Sequence, residues 1–137
     1  MRLITAKKTK KILTDIWPDI TRVPTDRQFY IADLDWLLEQ LKIIRPGFPK
    51  YKSNKFACEE FCFGSWYELH KHRALQDEED RDYNIHYGVL WGTQFKNAIG
   101  SHYNNFAITE QGLYIIDFES TQHWKPTNND IARWGFE

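Results

Sequence analysis

The sequence predicts an α+β fold, with helices in the first half of the chain and an antiparallel sheet in the second. Apolar residues recur at helical spacing in the first half. In the second half, two strand-like runs, "HYNNFAI" and "LYIIDFE", flank the loop Thr109-Glu-Gln-Gly112. Between the halves lies the charged stretch "RALQDEEDRD" (73–82), which offers no core face.

The chain length indicates one domain. A chain of 137 residues can bury a real hydrophobic core, and no internal repeat or low-complexity tract divides it. We therefore expect a single domain over residues 1–137. It comprises a helical N-terminal part (1–45), a core (48–122) and a C-terminal tail (123–137) packed on the domain.

Two helices are expected before residue 45. The segment "TKKILTDIW" shows weak helical periodicity and ends at Pro18. The segment "TDRQFYIADLDWLLEQLK" predicts a stronger helix over about residues 26–43, with Thr25 or Asp26 as its N-cap. The apolar stripe of this helix consists of Phe29, Leu34, Leu37, Leu38 and Leu41.

A third helix is expected to begin at Cys58, after an irregular arm (45–54) that contains two prolines and a glycine. In "CEEFCFGSWYELHKH" the less polar side chains share one face, which predicts an amphipathic helix with Cys58 in its first turn. These side chains are Cys58, Phe61, Cys62, Ser65, Trp66 and Leu69.

The second half predicts three strands. The run "YNIHYGVLWG" alternates in a way that suits a strand buried mainly on one side. Residues 102–108 and 113–119 are expected to form a hairpin, with Gly112 where such loops often need a positive φ. Pairing Ile108 with Leu113 places His102 directly opposite Glu119 further along the strands.

The overall charge argues against some partners and compartments. The net charge of −1 gives no general attraction to nucleic acid or to membranes, so neither is an expected partner. No apolar run approaches the roughly 18 residues of a membrane span, and the N-terminus lacks the apolar core of a secretory signal. We expect a cytoplasmic protein whose two cysteines are reduced.

Cys58, His102 and Glu119 form a candidate catalytic set. The N-terminus of a helix lowers the pKa of a thiol, and directly opposed residues of a hairpin lie about 5 Å apart at Cβ. A thiol nucleophile (Cys58), a general base and acid (His102) and an orienting carboxylate (Glu119) together support acyl transfer. Asp117 shares the face of Glu119 but lies diagonally from His102.

Structural interpretations of the same residues stay open. Cys58 also suits a small core position, which fully explains Cys62, and His102 with Glu119 also suits a structural cross-strand pair. A zinc site from Cys58, Cys62, His70 and His72 is disfavoured because the two histidines, two residues apart on a helix, diverge. We assign no metal ligands.

Two stretches carry a family resemblance, "YKSNKFACEEF" and "GSHYNNFAITEQGLYIIDFE". They resemble the papain-like cysteine proteases, and more narrowly the C-terminal protease domain of the Marasmius oreades agglutinin with its small bacterial and phage relatives. The resemblance covers about residues 48–122. The matching features are Cys58-Glu59-Glu60-Phe61, Gly100, His102 with Asn105, and Glu119.

The resemblance implies a papain-like α+β fold, with N-terminal helices and the cysteine-bearing helix packed on an antiparallel sheet. It implies hydrolysis of a peptide or related amide bond, Asn105 as a supporting residue, and activation by a divalent cation such as calcium. The glutamine that precedes the cysteine in papain-type enzymes is missing. Asn54, or less favourably Ser53, is the candidate replacement as oxyanion donor.

A noncatalytic alternative accompanies this prediction. A small binding or inhibitory protein could keep the fold with a vestigial triad, and its partner would be a peptide or a protein. The missing glutamine favours this alternative, whereas the spacing of the triad favours the enzyme.

Overall fold

The computed structural model describes residues 2–22, 27–52, 57–74 and 83–137, which form three α-helices and nine β-strands. The helices are α1 (Ala6–Ile16), α2 (Leu34–Ile44) and α3 (Cys58–Ala74), and a 3₁₀ turn (Arg45–Gly47) follows α2. The strands are β1 (Leu3–Thr5), β2 (Thr21–Arg22), β3 (Gln28–Tyr30), β4 (Asn84–Ile85), β5 (Gly88–Phe95), β6 (Ala98–Thr109), β7 (Gly112–Asp117), β8 (Gln122–Trp124) and β9 (Ile131–Phe136).

The strands make two sheets. The larger sheet has the order β2-β9-β5-β6-β7-β8, in which β2 runs parallel to β9 and the other neighbours are antiparallel. The smaller sheet has the order β1-β3-β4, with β1 antiparallel and β4 parallel to β3. Both sheets are therefore mixed.

This architecture corrects the predicted fold class. The chain is mainly a β-sheet protein with three helices in its described part, not a papain-like arrangement of N-terminal helices on one antiparallel sheet. Residues 1–45, expected to be helical, also contain β1, β2 and β3. Residues 123–137, expected to be a tail, supply β9, which lies between β2 and β5 inside the larger sheet.

Of the two helices predicted before residue 45, the first is confirmed and the second begins later than predicted. Helix α1 is confirmed; the Thr5 hydroxyl accepts a hydrogen bond from the Lys8 N–H at 3.2 Å. Helix α2 begins at Leu34, later than expected, because residues 28–30 pair in β3 and Asp33 caps the helix instead. The expected caps, Thr25 and Asp26, lie outside the described residues.

Helix α3 begins at Cys58, as predicted. Its first turn is acidic and its last turn is basic, an order that suits the helix dipole. The predicted apolar face is turned inward: Phe61, Cys62, Ser65 and Leu69 are buried.

The hairpin register is confirmed where the strands pair. Ile108 opposes Leu113, and the ladder runs from Thr109–Gly112 to Asn105–Ile116. Gly112 has a φ of +111°, which a residue with a Cβ rarely adopts. Strand β7 ends at Asp117, so Glu119 lies beyond the strand that was expected to contain it.

The larger sheet is covered on both faces. On one face, α1 packs against the sheet through Leu13 and a core cluster that includes Phe106. On the other, α2 and α3 pack through Leu37, Phe61 and a second core cluster. This double cover explains why residues 85–90 are all buried rather than alternating as predicted. In the described ranges, no helix is long and apolar enough to cross a membrane.

Candidate functional site: a cleft at the N-terminus of α3

A cleft of about 180 Å³ lies where α3 begins, beside β6 and the end of β7. It brings together three side chains that the sequence placed in one candidate site, because Cys58, His102 and Glu119 all line it. The other lining residues are Phe61, Cys62, Asn97, Tyr103, Asp117 and Phe118. We call this region the Cys58 cleft.

A buried polar network fixes α3 on the sheet. The Asn105 amide Nδ2 donates to the Cys62 carbonyl at 3.0 Å and to the Gly88 carbonyl at 2.9 Å. The Ser65 hydroxyl donates to Asn105 Oδ1 at 3.2 Å and lies 2.9 Å from the Tyr87 hydroxyl. These bonds join α3 to β5 and β6 and so set the position of Cys58, one turn before Cys62.

Asn105, predicted as a supporting residue, is therefore placed under the helix rather than in the cleft. Its side chain is fully buried. The other predicted supporting residue, Asn54, lies outside the described residues, as does Ser53.

The two cysteines occupy different environments. Cys58 is partly exposed in the cleft, whereas Cys62 is 4% exposed and belongs to the packed face of α3. Burial raises the pKa of the Cys62 thiol well above its ordinary value, and the charges of Cys58 and Asp117 add to this effect. Cys62 is thus an apolar packing residue at neutral pH, while the Cys58 sulfur is the one that a ligand can reach.

The carboxylate that acts on His102 is Asp117. Partial burial lowers the pKa of His102 and the negative charge of Asp117 opposes that shift. Glu119 is exposed and lies in the turn after β7. There its N–H donates to Asp117 Oδ1 at 3.1 Å, and its carbonyl accepts a bond from Arg45 Nε at 3.3 Å.

Sequence reasoning missed this role of Asp117 because it extended the hairpin two residues too far. The signal that could have found it is the segment "DFES", in which an aspartate can accept from the backbone two residues on and end a strand. In the structure, Asp117 accepts a hydrogen bond from the Glu119 N–H and a second one, of 3.0 Å, from the Ser120 hydroxyl.

At the cleft, one edge of strand β6 has no pairing strand among the described ones. The strand pairs with β5 from Ala98, with a break in register between Ile99 and His102, but its ladder with β7 begins only at Asn105. No described strand pairs with residues 99–104 on that side. Since His102 and Tyr103 in this segment line the cleft, the free backbone edge and the cleft form one continuous surface.

Acidic side chains outnumber basic ones around the cleft, where the Arg45 guanidinium lies 4.9 Å from the centroid of the Phe61 ring. Asp117 and Glu119 line it, and Glu59 follows Cys58 with its side chain exposed. His102 has a lowered pKa and is therefore mainly neutral at pH 7. Within the described ranges, no group of three or more His, Cys, Asp or Glu side chains could hold a metal ion.

This chain is similar to known proteins in its structure, whereas the sequence comparisons give no match. No protein-family model matches the sequence, and a search of curated proteins gives no match. One similar solved structure is a PSL1a–E64 complex, with a TM-score of 0.81 and 13% identity over 98% of this chain and 50% of that chain. Another is Polyporus squamosus lectin bound to the epitope Neu5Aca2-6Galb1-4GlcNAc, with a TM-score of 0.79 and 13% identity over 98% of this chain and 49% of that chain.

These comparisons correct the resemblance drawn from the sequence. The solved structures that share the fold are those of a lectin, so the expected papain-like cysteine protease and its hydrolase activity with a catalytic triad are contradicted. This chain spans about half the length of the lectin chains that it resembles and shares their fold over that half.

Proposed function

We propose that this chain is a noncatalytic binding protein that takes up an extended peptide segment along the free edge of β6. One side chain of the peptide would enter the Cys58 cleft. The observation that carries the proposal is the stretch 99–104, which no described strand pairs on the β7 side and which opens onto the cleft.

An open strand edge is a binding surface for another strand. Residues 99–104 present backbone N–H and C=O groups that no described strand pairs on the β7 side, and such groups bind an added strand through main-chain hydrogen bonds. The cleft volume of about 180 Å³ suits this arrangement. Sites that enclose a whole small ligand measure roughly 300–1,000 Å³, so this cleft has room for one side chain.

The chemistry of the cleft supports binding without catalysis. In acyl transfer by a Cys–His pair, a carboxylate orients the imidazole through a hydrogen bond. Asp117 is hydrogen-bonded within its own turn rather than held against the imidazole.

The acidic surroundings also select among ligands. Asp117, Glu119 and Glu59 favour a neutral or basic peptide over an acidic one. The same charges disfavour the carboxylate of a sialylated glycan, the ligand named for one lectin structure of this fold. A peptide partner therefore suits this cleft better than that glycan does.

Binding of defined hexapeptides tests the proposal. The probes are N-acetylated, C-amidated hexapeptides of alanine and glutamine with a fluorescent label, followed by fluorescence polarisation. Two further sets carry N-methyl groups at the odd or the even residues. We expect one N-methylated set to lose binding and the other to keep it, because an added strand pairs through alternate residues.

Two protein variants locate the site. Cys58→Phe fills the cleft and should weaken binding about tenfold or more, whereas Ile16→Phe, on the exposed side of α1, should leave it unchanged. No binding of any hexapeptide, or binding of Neu5Aca2-6Galb1-4GlcNAc that Cys58→Phe abolishes, would overturn the peptide assignment. Peptide fragments released by wild type but not by Cys58→Ser would overturn the noncatalytic one.

A further inference from the structure

A row of three aromatic residues crosses the larger sheet next to the Cys58 cleft. Trp91 on β5 is directly opposed to Tyr103 on β6 and to Trp134 on β9. Directly opposed residues project to the same face of a sheet. All three side chains are only partly buried, so the row is accessible from one face.

A ring from α3 completes this surface. The Phe63 ring lies 5.9 Å from the Tyr103 ring and 6.1 Å from the Trp134 ring, centroid to centroid, and Phe63 is 37% exposed. We call Phe63, Trp91, Tyr103 and Trp134 the aromatic shelf. Isolated exposed aromatics need no explanation, but a contiguous group of four beside a cleft indicates a contact surface.

The shelf is continuous with the proposed peptide site. Tyr103 belongs to both, since it lines the Cys58 cleft and contacts Phe63. A strand added at the free edge of β6 would lie about 4.8 Å from it. A long side chain on that strand can therefore reach over Tyr103 to Phe63, whereas a short one cannot.

The charge beside the shelf determines what that side chain should be. Glu59 is exposed on α3, and its negative charge, together with burial as the larger cause, raises the pKa of Tyr103. Aromatic faces attract cations, and a neighbouring carboxylate strengthens the preference. The combination favours an ammonium or guanidinium group over an apolar or acidic side chain.

We propose that the aromatic shelf is a subsite for a lysine or arginine side chain of the bound peptide, held by the faces of Tyr103 and Phe63 and by the Glu59 carboxylate. The inference rests on the proposed peptide function and adds the side chain that the peptide should carry. It gives Phe63, which does not line the cleft, a direct contact with the peptide.

Matched peptides test this subsite. Each hexapeptide carries a single lysine, norleucine or glutamate at one position scanned along the peptide, and dissociation constants are measured at fixed ionic strength. We expect one position at which lysine binds about three- to tenfold more tightly than norleucine, as cation–π contact and a partner charge together allow. Glutamate at that position should bind more weakly than norleucine.

Protein variants separate this inference from the function on which it rests. Phe63→Leu and Glu59→Gln should each reduce the advantage of lysine while leaving the norleucine peptide bound. Tyr114→Leu, at a partly buried tyrosine of β7 that belongs neither to the Cys58 cleft nor to the aromatic shelf, should keep the advantage. Equal binding of the lysine and norleucine peptides at every position would overturn the subsite alone. Failure of every peptide to bind would overturn the proposed function together with it.

Discussion

The Asn105 side chain donates a hydrogen bond to the main-chain carbonyl of Cys62, with 3.0 Å between Nδ2 and the oxygen. Because Cys62 lies one turn after Cys58, this bond connects the centre of the sheet to the helix end that forms the cleft. Asn105 is fully buried, so its amide group has protein partners in place of water.

Replacement of Asn105 by leucine should destabilise the fold by about 2–4 kcal/mol, because two buried carbonyl groups lose a donor and Ser65 loses an acceptor. The free energy of unfolding is measured by urea denaturation. Asn128→Ala, at an exposed position, is the matched control and should change stability by less than about 0.5 kcal/mol. A leucine variant as stable as the control would contradict the structural role of the network.

Gly88 should not tolerate alanine. A Cβ at this position would lie 2.2 Å from the Phe136 carbonyl oxygen and 2.6 Å from the Phe106 ring, so β5 and β9 would have to separate. We expect Gly88→Ala to lower the melting temperature by many degrees or to prevent folding. The control is Gly47→Ala, where an added Cβ meets no atom within 4 Å. A thermal melt of Gly88→Ala that matches the control would show that the two strands are not packed as described.

Stability should fall as the pH is lowered below about 6.5. Burial lowers the pKa of His70 to about 4 and that of His86 to about 3, from an ordinary value of 6.5. Between pH 6.5 and these lowered pKa values, the unfolded chain binds more protons than the folded one. The free energy of unfolding therefore decreases as the pH falls through this range. His86 is held neutral with Nδ1 accepting the Ile108 N–H at 3.0 Å.

Urea denaturation between pH 7 and pH 5 measures this dependence. Each buried histidine should contribute a slope of up to about 1.4 kcal/mol per pH unit, and His70→Gln should reduce the total slope. Substitution of the exposed His123 should not. An unchanged free energy of unfolding across this interval would contradict the burial of the two histidines.

Much of the local structure could be predicted from the residues. Helix α3 was identified from the apolar face that starts at Cys58, and the hairpin register from the four-residue loop ending in Gly112. Both depend on contacts close in sequence, where periodicity and turn chemistry are informative.

The rest depends on contacts between distant segments. Strands β1 to β3 are two or three residues long, too short for an alternating pattern, and Phe29 entered the apparent stripe of a helix although it lies in β3. The position of β9 inside the sheet follows from its pairing with β2 and β5, which no local pattern reveals.

The candidate site was predicted in part. The sequence predicts one site that contains Cys58, His102 and Glu119, and in the structure all three line one cleft. The sequence did not identify Asp117, because β7 ends at a turn that the strand-like run "LYIIDFE" does not indicate. It also missed the open edge of β6, which follows from the unequal lengths of the two strands.

Backbone amide chemical shifts locate a bound peptide on the protein, and the mass of the peptide after prolonged incubation shows whether it has been cleaved. Together they test whether β6 binds a peptide without cleaving it. We predict that the alanine–glutamine hexapeptide shifts the amide signals of residues 99–104 and of Cys58, and that the peptide is recovered intact. Shifts confined to other parts of the chain, or recovery of cleaved peptide that requires Cys58, would contradict it.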